Sequence, residues 1–121
     1  MRKCADISAD WIRELIRDFI AASPCNTMQN DNGDPAWDDA LVGFASGADP
    51  IWQQYKEYVG PFHWTPWEVF YQHCPDQPVR ADELTVVSWV LPQREAVRRA
   101  NRRAKKYPAE EWARIRVYGE A

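Results

Sequence analysis

The densest group of side chains that could do chemistry lies in GPFHWTPWEVF, residues 60–70. His63 stands between Phe62 and Trp64, directly before a helix start, where an imidazole can project into a cleft. Aromatic rings beside polar loops are a common composition of small-molecule sites. The candidate residues for a cofactor or substrate cleft are Trp37, His63, Trp64 and Trp67. The alternative is that the rings only pack one helix against the next, with His63 bonded to a backbone group.

A second candidate site is the basic segment REAVRRANRRAKK, residues 94–106. Its basic residues recur at helical spacing and form two stripes, a pattern that can follow the phosphates of RNA. The residues expected to carry such binding are Arg98, Arg99, Arg102 and Arg103. Residues 1–92 carry 14 acidic and 6 basic side chains, so the alternative is that these arginines pair with carboxylates of the same chain.

Metal and catalytic sites have little support in the sequence. Cys4, Cys25 and Cys74 are too few and too widely spaced for a cysteine-ligated cluster or a CxxC motif, which favours reduced thiols. The spacing of His63 and His73 matches no known zinc pattern. The sequence therefore predicts no metal site and no resident metal cofactor within this chain, and no catalytic residue can be assigned.

Length and composition bound the class of protein. The 121 residues suit a single domain spanning 1–121, and no apolar run approaches the roughly 18 residues that cross a membrane. The amino terminus lacks the continuous apolar stretch of a secretory signal. We therefore expect a cytoplasmic protein without a membrane partner.

The hydrophobic pattern predicts several helices. Residues 6–23 carry apolar side chains at steps of three and four and have Ser8 or Asp10 as the N-cap. Helices are also expected over 50–59, after Pro66, over 94–106 and over 108–117, and Thr65 with Glu68 forms a capping box. Between them, residues 24–40 read as a long loop with Trp37 anchored on the core.

Two segments read as strands. Residues 41–45 are a short apolar run, and ELTVVSWVL, residues 83–91, has the nearly continuous apolarity of a strand with both faces covered. The expected class is α/β or α+β, with several helices packed on a small sheet that contains a buried strand at about 84–91.

The order of the segments PAWDDALVGFASGADPIWQQYK, VGPFHWTPWEVF and LTVVSWVLPQ resembles the amino-terminal part of iron–sulfur proteins related to epoxyqueuosine reductase and reductive dehalogenases. The resemblance implies that this chain is the amino-terminal part of a longer protein, with a downstream module holding two cysteine-ligated clusters. For the full-length family it implies iron–sulfur clusters and, in the better-characterised relatives, cobalamin. No catalytic residue of the family falls on a position of this chain.

Two functions follow as hypotheses. The first is a cofactor- or substrate-binding domain of an iron–sulfur-dependent reductase that is not redox-active alone. The second is a non-catalytic module that binds RNA or an acidic protein partner through residues 94–106. Because an apolar strand without its neighbours favours pairing with another chain, we also expect a homodimer or a compensating contact.

Overall fold

The computed structural model describes residues 7–119, so Cys4 and the expected helix start at Asp6 lie outside the described residues. The elements in chain order are α1 (Ala9–Ala22), β1 (Leu41–Ser46), α2 (Ile51–Tyr58), α3 (Pro66–His73), a 3₁₀ turn (Ala81–Glu83), β2 (Thr85–Val90), α4 (Glu95–Arg103), α5 (Glu110–Arg114) and a π-helical turn (Ile115–Gly119). Within residues 7–119, β1 and β2 form one antiparallel two-stranded sheet. Five helices with an antiparallel pair confirm the α+β class.

The chain divides into two compact units. The first unit comprises Met1–Val42 and Trp89–Ala121, and the second comprises Gly43–Ser88. The boundary falls inside β1 and inside β2.

The core of the first unit includes part of the predicted loop. Met28 and Ala36 from this loop are buried with Val97 of α4 and Ile115 of the π-helical turn. Trp37 packs against this cluster, as the sequence predicted for the distal half of the loop. The loop is thus a core element, because its turns return Met28 and Ala36 to the interior.

Helix α1 begins at Ala9 because the Ser8 hydroxyl accepts a hydrogen bond from the backbone N–H of Trp11. Two polar contacts tie α1 to its own unit. Arg17 Nε donates to the carbonyl of Ala40 at 3.0 Å, and Asn26 Nδ2 donates to the carbonyl of Ile20 at 3.3 Å. No residue of α1 is buried.

The second unit holds the predicted capping box. The Thr65 hydroxyl accepts from the Glu68 N–H, and the Glu68 carboxylate accepts from the Thr65 N–H. Together they start α3 at Pro66, whose missing N–H is no loss at the first position of a helix.

The prediction that both faces of β2 are covered is wrong. Only Val86 and Val87 are partly buried, and Trp89 and Val90 are 54% and 60% exposed. The physical reason is that β2 pairs with β1 alone, so its apolarity is not matched by layers on both faces. Helix α5 is also shorter than the expected 108–117, because its last part is a π-helical turn.

Among residues 7–119, no helix has both the length and the apolar character needed to cross a bilayer.

Candidate functional site

A small apolar pocket opens in the second unit around His63. It has a volume of about 390 Å³. Its walls are formed by Trp52, His63, Trp64, Pro66, Val69, Phe70, Leu84, Thr85 and Val86. The polar side-chain groups of this lining, here called the His63 pocket, are one imidazole, one hydroxyl and two indole N–H groups. Apolar walls with few polar groups are the usual composition of a small-molecule site.

Trp52 and His63, which line the His63 pocket, are both in contact with the ring of Tyr55, which is not part of the lining. Trp52 and Tyr55 meet edge to face with centroids 5.7 Å apart, and Tyr55 meets His63 in the same way at 5.2 Å. Trp52 Nε1 donates to the carbonyl of Ser46 at 2.8 Å, which holds the indole in one orientation. Edge-to-face contacts of this kind stabilise aromatic pairs beyond their burial, so the wall is preorganised.

One nitrogen of the His63 imidazole lacks a hydrogen bond. Its Nδ1 atom is buried and has no hydrogen-bond partner within the described structure. A buried N–H without an acceptor is rarely tolerated, so we assign the proton to Nε2. On this assignment, the N–H at Nε2 is the group of the ring that can donate a hydrogen bond to a ligand.

The turn that carries His63 is held at both ends. Gly60 has φ of 150°, and a Cβ there would lie 2.2 Å from the Phe62 ring. Lys56 Nζ lies 3.0 Å from Glu68 Oε2, so α2 is tied to the start of α3. This contact and the bond to Thr65 lower the pKa of Glu68 from its ordinary value, with Lys56 as the first cause.

The four predicted cleft residues occupy different places. His63 and Trp64 line the His63 pocket. Trp67 does not belong to that lining: its ring stacks on Tyr71 at 5.2 Å, and its Nε1 donates to the carbonyl of Val79 at 2.8 Å. These contacts give Trp67 a role in holding α3 against the segment that follows it.

Trp37 belongs to the first unit and lines a different cavity there, of about 600 Å³. The other side chains around this cavity include Asp38, Asp39 and Arg98. Arg98 is thus the member of the predicted arginine site that lies beside a predicted cleft residue. The Trp37 cavity is lined by more charged groups than the His63 pocket, so it is less suited to an apolar ligand.

The arginines of α4 are partly neutralised by one carboxylate on the same helix. Glu95 lies 2.7 Å from Arg98, 3.3 Å from Arg99 and 3.8 Å from Arg102. Arg103 has no ion-pair partner in the described part of the chain. Residues 94–106 carry seven basic side chains and one acidic side chain, so a positive face remains.

Sequence reasoning missed Trp52 as a pocket residue and Tyr55 as the ring that packs against Trp52 and His63. Trp52 and Tyr55 lie three residues apart on α2, a spacing that puts both on one face. This spacing is the feature of the sequence from which the pair could have been identified. Leu84 and Val86 were assigned to a buried strand, whereas they line the pocket.

The donor groups present do not fit a metal cluster. Within residues 7–119, no three or more histidine, cysteine or acidic side chains come together as metal ligands. At about 390 Å³, the His63 pocket lies at the small end of the size range of small-molecule sites.

Comparisons with protein family models, with curated proteins and with solved structures gave no match to this chain.

Proposed function

We propose that this chain is a non-catalytic binding domain that takes a flat aromatic ligand into the His63 pocket. One observation carries the proposal: an apolar, ring-lined pocket whose histidine has an enclosed Nδ1. Flat rings match the indoles of Trp52 and Trp64, and a ligand acceptor atom matches the N–H at Nε2 of His63.

The sequence resemblance supplies the biological setting of the proposal. On the basis of this resemblance, we propose that the chain is the amino-terminal binding domain of an iron–sulfur-dependent reductase related to epoxyqueuosine reductase. The downstream module of that protein would carry the clusters. The chain then supplies ligand binding and orientation but no redox chemistry. We place the protein in the cytoplasm, where the free thiols of Cys25 and Cys74 stay reduced.

Fluorine NMR on protein labelled with fluorotryptophan tests the pocket. The seven tryptophans give separate resonances, which Trp→Phe variants assign. Quinoline should shift the resonances of Trp52 and Trp64, and leave that of Trp112 in the first unit unchanged. Trp67→Phe is the matched control, since it removes a tryptophan of α3 outside the pocket.

The role of His63 has its own test. Naphthalene has the shape of quinoline without the ring nitrogen, so it should bind more weakly to the native chain. His63→Phe should abolish that preference. If Trp52 and Trp64 do not respond to quinoline, or if both probes bind equally, the proposal fails. Hydroxocobalamin is a further probe: a shift of the Trp52 and Trp64 resonances on its addition would indicate a cofactor role, and a response to quinoline alone would indicate a substrate role.

A second candidate function rests on the basic face of α4. Arg103, Lys105 and Lys106 have no carboxylate partner within the described residues, and Glu95 alone opposes the arginines at 98, 99 and 102. Such a face suits RNA or an acidic protein surface. Arg98→Glu with Arg102→Glu should abolish salt-dependent binding of a single-stranded RNA and leave quinoline binding intact. Unchanged RNA binding would eliminate this candidate.

A further inference from the structure

Four apolar side chains form an exposed stripe along α1, in the first unit. Ile7 lies just before the helix, and Trp11, Leu15 and Phe19 follow at steps of four residues. Their exposed fractions are 54%, 36%, 52% and 75%, respectively. Residues four apart share one face of a helix, so Trp11, Leu15 and Phe19 form a continuous stripe, which Ile7 precedes in the sequence. An accessible stripe of this kind indicates an interface.

Carboxylates border one edge of the α1 stripe. At 100° per residue, Glu14 and Asp18 fall on the side of Trp11 that faces away from Phe19. Both are exposed, and neither forms an ion pair within the described residues. The opposite edge carries isoleucines that are partly buried. A partner for this stripe therefore needs apolar side chains with positive charges beside them.

Such a surface is present in the same unit of this chain. Tyr107, Val117 and Tyr118 are 72%, 64% and 39% exposed. Lys105 and Lys106 are exposed beside Tyr107, with Lys106 Nζ 5.5 Å from the centre of the Tyr107 ring. Tyr107 with its two lysines, and Val117 with Tyr118 further along the chain, are together called the C-terminal patch. Val117 and Tyr118 also line a groove of about 260 Å³, together with Ala113 and with Glu110 and Arg114, which pair with each other.

We propose that a second copy of this chain covers the α1 stripe with its C-terminal patch. The carboxylates of Glu14 and Asp18 then face Lys105 and Lys106 of the other copy, and Phe19 meets apolar side chains. Pairing of α1 with α1 is less favourable, since it brings the same carboxylates to both sides of the contact.

The arrangement is reciprocal. Each copy has one α1 stripe and one C-terminal patch, so a two-fold dimer makes the same contact twice. Two equal contacts halve the area that each must bury for a stable interface. The proposed dimer uses residues of the first unit alone. Its test is therefore independent of the test of the His63 pocket, which lies in the second unit.

Sedimentation equilibrium of the chain tests the dimer, with Phe19→Ser as the disrupting variant. Tyr58→Ser is the matched control, because Tyr58 is 83% exposed and lies in the second unit. We expect a native dimer, an unchanged Tyr58→Ser dimer and a dissociation constant raised at least about tenfold by Phe19→Ser. A native monomer at all concentrations overturns the proposal, as does a dimer that Phe19→Ser leaves intact; the sheet edges would then hold such a dimer.

A charge swap tests which surfaces meet. Glu14→Lys with Asp18→Lys, and separately Lys105→Glu with Lys106→Glu, should each weaken self-association. Mixing the two variants should restore a mixed dimer, since both contacts regain opposite charges. Far-UV circular dichroism checks that each double variant is folded. If a double variant does not fold, the single variant Asp18→Lys or Lys105→Glu is used in its place. Folded variants that fail to associate when mixed overturn the proposed pairing.

Discussion

Lys56 Nζ in α2 lies 3.0 Å from Oε2 of Glu68 in α3, and the same oxygen accepts the backbone N–H of Thr65 at 3.1 Å. A single carboxylate therefore caps one helix and ties it to the preceding helix. The turn between the two helices carries His63. The geometry of this wall of the His63 pocket thus depends on a titratable group.

The stability of the native state should fall in acid through this contact. The pKa of Glu68 is lowered from 4.5 in the folded state, first by Lys56, so the contribution is present above pH 4.5 and is lost as the pH falls through the folded pKa. Glu68→Gln keeps a side chain that can cap the helix but removes the charge. Urea unfolding should show the native chain more stable than Glu68→Gln at neutral pH, with the two converging in acid.

Lys56→Met separates the ion pair from the cap. It removes the cation but leaves the Glu68 carboxylate on the Thr65 N–H, so it should reduce the acid dependence less completely than Glu68→Gln. Asp82, whose pKa Arg80 lowers, adds its own acid-sensitive contribution in all of these proteins. A constant difference between native chain and Glu68→Gln across the pH range would refute the role of the charge.

The close approach at Gly47 gives a second prediction. A Cβ on Gly47 would lie 2.7 Å from the Ala81 carbonyl oxygen and 2.8 Å from Leu84 Cβ, and the Gly47 N–H donates to the Leu84 carbonyl at 2.8 Å. These close contacts can be relieved only if the backbone moves. Gly47→Ala should therefore lower the free energy of unfolding by about 1–3 kcal/mol. Gly43→Ala is the control, because its Cβ would meet nothing nearer than Ser88 Oγ at 3.8 Å. Equal stabilities of the two variants in urea unfolding would contradict this account.

Met28 provides a test of the loop as a core element. It is 2% exposed and packs in the cluster with Val97 and Ile115. Met28→Ala should lower the free energy of unfolding by about 2–5 kcal/mol, because the lost volume leaves a cavity. Met28→Leu keeps the volume and should cost less than about 1.5 kcal/mol. A Met28→Ala protein of native stability would mean that the loop is not part of the core.

Local signals in the sequence were sufficient for most elements of the fold. The Thr65 and Glu68 capping box and the short strand at 41–45 are specified by neighbouring residues, and the structure has both. The exposure of β2 was not predictable, because apolarity reveals what a strand can bury and not which layers cover it. The burial of Met28 depends on turns within residues 24–40 that bring distant residues together.

The candidate site was predictable only in part, for the same reason. His63 and Trp64 are adjacent in sequence, and both line the pocket. Trp67 belongs to the same aromatic segment of the sequence. Its position on α3, however, directs its indole to Tyr71 and to the Val79 carbonyl. Ring density in a sequence indicates where a site can form, while helical phase decides which rings belong to it.

The last prediction concerns the balance of charge on α4. Glu95 pairs with Arg98, Arg99 and Arg102, so it competes with any phosphate for the same guanidinium groups. Glu95→Gln frees them, and exposed pairs of this kind contribute at most about 1 kcal/mol to stability. If α4 binds RNA, this variant should bind a single-stranded RNA more tightly than the native chain, with a steeper dependence on salt concentration. Arg103→Glu is the opposing variant and should weaken binding, measured by fluorescence anisotropy over a salt series. An affinity that neither change alters would leave the arginines as a solvated face paired with Glu95.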